Sequence, residues 1–454
     1  MITLLHAALV VPLPYELDFA EGPLLGVGVR VAQGLSAYPP ATQLPYVISP
    51  YGPLPYYLAG LCVKLYGVSL SAPRILVVAS GMWCAAMIAL LVRHWGGTRL
   101  ASLGFGLLYL SRPLVEAWLP LFRVDLIGLA LSLTGLCFFA KSRRWYVSVP
   151  FFVAALFCKF SLVSGPLACF LYAVFRKETR KASWFAAANI ALGGLAFLWA
   201  QRQTSGWFAF HTFWINADHP LIFSRAADQL HGEMIGDYFL VVLALALFLF
   251  LKSRSEVSLP LTYLGLSFLT CLGVGKMGAN SNYFLEWQAA ACLCAGLTYQ
   301  FLRAQSDYGR LVYALLPATL GAMVLVGLGT PKPDPDIDLG CRKAYEYVRN
   351  YPGGRILSEN PGAAVMAGKS SAVFEPFLWT REVVNKGWPD TEIVNLIRSR
   401  QIDLIVLGSP ARRGALQERW PNSVEDAIGQ NYRLVNVFGC PDGAFVYRPK
   451  QLPK

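Results

Sequence analysis

The sequence predicts an α-helical polytopic membrane protein with a small α/β domain at its C-terminal end. Two observations carry that expectation. The 454 residues are 55% hydrophobic and only 15% charged, against the roughly 25% charged residues of a soluble domain, and the mean hydropathy is +0.45. One soluble core cannot hide that much apolar surface, so most of it must face lipid. The apolar residues also fall into runs near the ~20 residues a spanning helix needs, and the loops between them alternate in charge.

The runs lie at 73–92, 100–119, 124–140, 145–158, 160–175, 184–201, 236–251, 258–275, 282–302 and 311–329. With the apolar stretch Met1–Pro14 they give about eleven spans. That first stretch is too short to span and has neither a basic flank nor a cleavage signature. It reads as a first helix whose start lies upstream. The 145–175 stretch reads as two short helices broken near Lys159, or as one helix and a re-entrant turn.

Arg93 and Arg99, then Lys141, Arg143 and Arg144, then Arg176, Lys177, Arg180 and Lys181, then Lys252 and Arg254, then Arg303 and Arg310 fill every second loop. Basic loops stay in the cytoplasm, which puts the N-terminus inside and the C-terminal tail outside. The opposite loops are acidic: Glu16, Asp18 and Glu21; Glu116 and Asp125; Asp218, Asp228, Glu233 and Asp237. The two long outer loops cover about 15–72 and 202–235. In the first, Pro23–Gln33 and Gly52–Tyr66 are too short to span and are expected to lie along the outer membrane surface.

The net charge of +12 does not mark a nucleic-acid binder, because the basic residues sit in short clusters between apolar runs. The ten cysteines show no metal spacing, and most lie in apolar runs, where Cys acts as a small hydrophobe. Cys341 and Cys440 lie in the tail and could pair in an oxidising compartment. Pro331-Lys-Pro-Asp-Pro335 reads as a stiff linker. The expected division is therefore a transmembrane domain over 1–330 and an α/β domain over 331–454. In the latter, Arg355–Ser358, Ile402–Leu407, Val435–Phe438 and Ala444–Tyr447 read as strands and Thr391–Arg400 as an amphipathic helix. No internal repeat is present, which counts against a transporter built from duplicated halves.

Few residues could carry chemistry, and each has a structural reading beside the functional one. Asp18 and Glu21 are three apart and would share a face of a turn or helix. One could act as a general base toward a hydroxyl. Equally, Glu21-Gly-Pro23 could simply open a helix, with acid near its positive end. Arg123 could hold a lipid phosphate, with Asp125 orienting it, or the two form an ion pair at a helix end. Lys159 has little polar company and either meets a phosphate or snorkels to the interface. Asn280 or Asn282 suits a helix cap. Glu286, in the first turn of an apolar helix, needs a partner, and Lys276 and Arg123 are the candidates. His211, His219 and His231, with Asp218, have spacings that match no standard metal set. No cofactor is assigned, and nothing supports a divalent cation.

The pattern resembles the bacterial GT-C glycosyltransferases, the group of the protein O-mannosyltransferases, the lipid A aminoarabinose transferase and the Rgt-type transferases. The resemblance covers nearly the whole chain. It rests on Asp18-x-x-Glu21-Gly22, Tyr51-Gly-Pro-Leu-Pro-Tyr-Tyr57, Arg123-x-Asp125, Lys159 ahead of an apolar run, and Asn282-Tyr283-Phe-Leu-Glu286. It implies an inverting transfer of sugar from a polyprenyl-phosphate carrier to a hydroxyl acceptor in the cell envelope, a lipid, glycan or protein. The membrane would be the inner one and the C-terminal domain periplasmic. Glu21 or Asp18 would be the base. The family has two acids side by side, whereas here Ala20 precedes Glu21. Arg123, Lys159 and Lys276 would hold the carrier phosphate. Asp125 and Glu286, with Asn282 and Tyr283, would position donor or acceptor. The competing readings are a lipid-linked sugar flippase or transporter, and a non-catalytic membrane scaffold.

Overall fold

A computed structural model describes residues 2–141, 144–217, 219–236, 258–304, 335–412, 419–440 and 443–451. The expected spans at 236–251 and 311–329, Asp218 and most of the 331–335 linker lie outside those residues. The chain divides into two compact units. One comprises Met1–Val10, Arg74–Ala200 and Asp218–Thr330; the other comprises Val11–Pro73, Gln201–Ala217 and Pro331–Lys454.

The first unit is helical. Ser71–His94 and Thr179–Gln203 are each long and apolar enough to cross a membrane, and Arg99–Leu110, Trp145–Leu156, Ser164–Phe175 and Leu259–Gly275 are shorter apolar helices. The expected run 100–119 breaks at Ser111–Arg112 into Arg99–Leu110 and Pro113–Trp118, because Pro113 cannot continue a helix but suits the first turn of a new one. The 145–175 stretch is two helices, Ser148–Leu156 and Ser164–Phe175, with Lys159 in the break. Helix Asp125–Lys141 packs against both of them and against Phe284–Ala304.

Gly128 allows one of these contacts to be close. A Cβ there would run into the Leu162 side chain and come 3.1 Å from the Cys158 Cβ. Small residues let helix backbones approach where lipid offers no hydrophobic drive. Gly128 lies one turn beyond Asp125, so its bare surface lets the 157–163 break reach the start of that helix.

The second unit joins the first long outer loop, the stretch 201–217 and the C-terminal segment. Its sheet has the order β2-β1-β3-β5-β4, with β1 Arg355–Ser358, β2 Ser370–Ser371, β3 Leu404–Leu407, β4 Tyr432–Phe438 and β5 Ala444–Pro449. The first three are parallel and the last two antiparallel. Four of the five strands fall where the sequence predicts them. β2 is missing from that reading because two residues give no alternation to detect. Pro335 opens helix Pro335–Asn350 instead of closing the linker. Tyr46 from the outer loop pairs with Val373 beside β2.

Helix Glu21–Ala32 corrects the surface-helix expectation. Residues 21–28 are buried, and the helix packs on Pro53–Tyr66 and on Gly362–Met366. Gly22 and Gly26 give it one smooth face, on which a Cβ would meet Gly362 and Phe374, and on the opposite side a Cβ at Gly28 would meet Ala59. Pro53–Tyr66, by contrast, exposes Tyr57, Leu61, Leu65 and Tyr66, the apolar stripe expected of a helix on a membrane surface.

Gly128→Val should push the 157–163 break off helix Asp125–Lys141. Thermal unfolding in detergent is expected to show a loss of about 1–3 kcal/mol, and an unchanged melting curve would rule out this close contact.

Candidate active site

In the helical unit the sequence-predicted residues converge. Asp125 is the first residue of its helix, so its carboxylate meets the positive helix end. The Asp125 Oδ1 accepts from Lys159 Nζ at 2.5 Å and from Asn282 Nδ2 at 2.8 Å. Arg123 Nε lies 3.8 Å from Asp125 Oδ2, and the Arg123 guanidinium stands 5.1 Å from the Trp118 ring centre. Lys159 Nζ lies 4.4 Å over the Tyr283 ring, within range of a cation–π contact. All four charged or amide side chains are buried. Lys159 is therefore an ion-paired buried cation and does not snorkel to the surface.

The two asparagines divide the work. Asn280 Oδ1 accepts from Ser281 N–H and caps the short turn Ser281–Tyr283, while Asn282 goes to Asp125. Glu286, third in helix Phe284–Ala304, takes Ser164 as its partner: Ser164 Oγ donates to Glu286 Oε2 at 3.0 Å. Neither Lys276 nor Arg123 fills that role. Lys276 stands apart on an exposed turn whose backbone pairs with Leu221. Asp125, Lys159, Thr270, Asn282, Tyr283 and Glu286 surround a void of about 20 Å³, room for about one water.

Asp18 and Glu21 belong to the other unit. Asp18 Oδ1 accepts from Ala20 N–H at 3.0 Å, and Glu21 N–H donates to the Asp18 carbonyl at 3.0 Å. This is the side-chain-to-backbone turn that Asp favours. Glu21 starts the helix, is wholly buried, and its Oε2 accepts from Leu17 N–H at 2.8 Å. Glu21 thus opens the helix, as the structural reading of Glu21-Gly-Pro23 expects, and Asp18 shapes the turn before it. Asp18 remains half-exposed.

Glu16 is the residue the sequence reading passed over. Its Oε1 accepts from Gly362 N–H at 3.0 Å, and Oε2 is sealed from solvent beside Gly22. Its stem is partly exposed, but the sealed carboxyl sets its chemistry. Burial pushes its pKa well above the usual 4.5, and the neighbouring Glu21 and Asp18 add to the rise. Only the fold could reveal this, because Gly362 is 346 residues away.

Among the described residues, the histidine-rich loop forms no ligand set around His211. That ring is fully buried, accepts from Ser49 N–H at Nδ1 (3.1 Å) and donates to the Pro39 carbonyl from Nε2 (2.8 Å). Burial holds its pKa down to about 4 from the ordinary 6.5. Ser164 and Arg112 are among the further buried polar residues that the sequence did not single out. Ser164 carried no signal, but Arg112 did: a charge inside an apolar run is a functional candidate by default.

No family model and no curated protein matches this sequence. Solved structures do. ArnT from Cupriavidus metallidurans bound to undecaprenyl phosphate superposes with a TM-score of 0.63 at 12% identity, over 98% of this chain and 96% of that one. The same protein in the apo state gives a TM-score of 0.65 at 11% identity and the same coverage, 98% and 96%. The Archaeoglobus fulgidus oligosaccharyltransferase, in complex with Zn and sulfate, gives 0.56 at 12% identity over 99% of this chain and 73% of that one.

Two measurements probe these sites. Asp125→Ala leaves Lys159 buried without its counter-ion, which should cost about 3–5 kcal/mol; thermal unfolding in detergent reads it, and a cost under about 1 kcal/mol would mean the pair is not buried as described. The pH dependence tests Glu16 and His211. His211 is neutral when folded, so its contribution is lost as pH falls from about 6.5 towards about 4. Glu16 is protonated when folded, so its contribution is complete below about 4.5 and is lost as pH rises through its raised value. Glu16→Gln should flatten the alkaline limb of the melting-temperature profile and leave the acid limb intact.

At these identities the likeness concerns the fold: this chain shares the fold of ArnT and of the archaeal oligosaccharyltransferase.

Proposed function

We propose that this protein is an inverting GT-C glycosyltransferase. It moves a sugar from a polyprenyl-phosphate carrier to a hydroxyl acceptor on the outer side of the inner membrane, with about eleven spans and a periplasmic C-terminal domain. The observation that carries the reading is the buried cation Lys159, set in a helix break and held by Asp125 and Asn282. A cation kept at that cost in a membrane helical unit needs a purpose, and a carrier phosphate provides one. ArnT, whose fold this chain shares, was solved bound to undecaprenyl phosphate, which supports a polyprenyl-phosphate donor. The alternating loop charge supports the outer location.

The residues then take these roles. Arg123 and Lys159 neutralise the carrier phosphate, and Asp125 fixes both cations. Its Oδ1 takes both hydrogen bonds and its Oδ2 faces the Arg123 guanidinium at 3.8 Å, so Asp125 acts as a positioning residue. Tyr283, Asn282 and Glu286, the last fixed by Ser164, shape the donor side, and Lys276 meets the phosphate from the exposed turn. Asp18 is the better base than Glu21, because a base must reach its proton and Glu21 is shut in by its own turn. Asp18 takes the acceptor hydroxyl proton as the oxygen bonds to the anomeric carbon. The bond from that carbon to the phosphate oxygen breaks, and its electron pair leaves on the phosphate. With that charge matched, no general acid is required.

Asp18→Asn should lower sugar transfer by at least ~100-fold in membranes that still contain the inserted protein. The readout is mass spectrometry of cell-envelope glycans, in cells carrying the wild-type gene, the variant or no gene. If Asp18→Asn and Glu21→Gln both support a wild-type glycan profile while deletion abolishes it, the base assignment fails. If deletion itself changes nothing, the transferase reading fails.

A further inference from the structure

The sheet-containing unit holds a second cavity, of about 660 Å³, within the ~300–1,000 Å³ of small-molecule sites. It opens between the C-terminal half of helix Glu21–Ala32, the Leu44–Pro45 segment and the β2 side of the sheet. Nothing in the transfer mechanism above uses it.

Its charges are unequal. Arg30, Arg355 and Lys369 line it against a single acid, Glu392. Glu392 is already engaged, because Tyr46 donates its hydroxyl to the Oε2 at 3.2 Å. Arg30 Nε is buried without a hydrogen-bond partner, and such a donor costs free energy until something accepts from it. Lys369 Nζ donates to the carbonyls of Tyr351 and Gly353, which uses two of its three protons. The wall between the cations is mixed. Gln33 and Gln401 are exposed amides, while Val29, Leu35 and Leu396 are apolar. Amides bond hydroxyl groups, apolar side chains cover the C–H face of a ring, and the guanidinium groups match a phosphate or carboxylate.

We propose that this cavity binds an anionic saccharide, a sugar bearing phosphate or carboxylate, as the remote part of the acceptor. That acceptor role rests on the transferase reading; the binding itself does not. Helix Glu21–Ala32 is the ruler: Arg30 lies nine residues after Glu21, about 13 Å along the axis. A group in the cavity is therefore well removed from the hydroxyl that would react at Asp18. Binding energy gained there is available for orienting the reacting end.

Isothermal titration calorimetry on the purified full-length protein in detergent tests this, with glucose 6-phosphate, glucuronate, glucose and inorganic phosphate as probes. At least one of the two charged sugars should bind tenfold or more tighter than glucose and than inorganic phosphate, and which one binds identifies the anion. Arg355→Gln should weaken that binding about tenfold, or about 1.4 kcal/mol, and Glu392→Gln should strengthen it. The two variants move affinity in opposite directions, so a general loss of folding cannot imitate the pair. Asp18→Asn should bind the charged sugar as the wild type does, so a failure of the transferase reading would leave this result standing. Equal binding of glucose, equal binding of inorganic phosphate, no binding of either charged sugar, or wild-type affinity in both cavity variants would each overturn the proposal.

Discussion

The ion pair of Asp125 with Lys159 organises the helical unit. Three separate segments end on it: the start of helix Asp125–Lys141, the break between Ser148–Leu156 and Ser164–Phe175, and the turn that opens Phe284–Ala304. Each is a place where backbone leaves regular helix, and irregular backbone inside a membrane fold persists only where protein partners satisfy it. Taking two charges out of water is costly, and good geometry with further hydrogen bonds must offset the loss. Asn282 and the Tyr283 ring supply those contacts. Gly128 supplies the space, since a side chain there would hold the break away from the carboxylate.

The sheet-containing unit solves a related problem with acids. Glu16, Asp18 and Glu21 crowd into six residues, and like charges at that spacing repel. The fold separates their environments. Glu21 bonds its own turn, Asp18 stays half-exposed, and Glu16 is sealed between Gly22 and Gly362, where burial favours the neutral acid. Environments that push neighbouring carboxyl groups apart are how one short segment can hold a structural acid beside a reactive one. His211 does comparable structural work with no charge at all, tying Ser49 to Pro39 through its two ring nitrogens.

How much of this was legible in advance differs between elements. The break at Lys159, the acids at helix starts and four of the strands follow from local patterns: a charge interrupting an apolar run, an acid ahead of one, alternation over four residues or more. The split at Arg112 was also legible and was passed over, since Arg112-Pro113 carries both a charge and a helix stop. The pairing of Glu286 with Ser164 was not legible. A serine inside an apolar stretch is equally at home bonding its own helix, and nothing local marks the one that reaches across 122 residues.

By itself the sequence determined the class of solvent, because hydropathy is summed over many residues and tolerates local error. It also determined which residue types were available for chemistry. Tertiary structure alone decided which of them meet. Lys159 could have snorkelled, and Asn282 could have capped a turn. The choice was made by contacts between residues far apart in the chain, and a buried charge or amide has only the partners that folding brings to it.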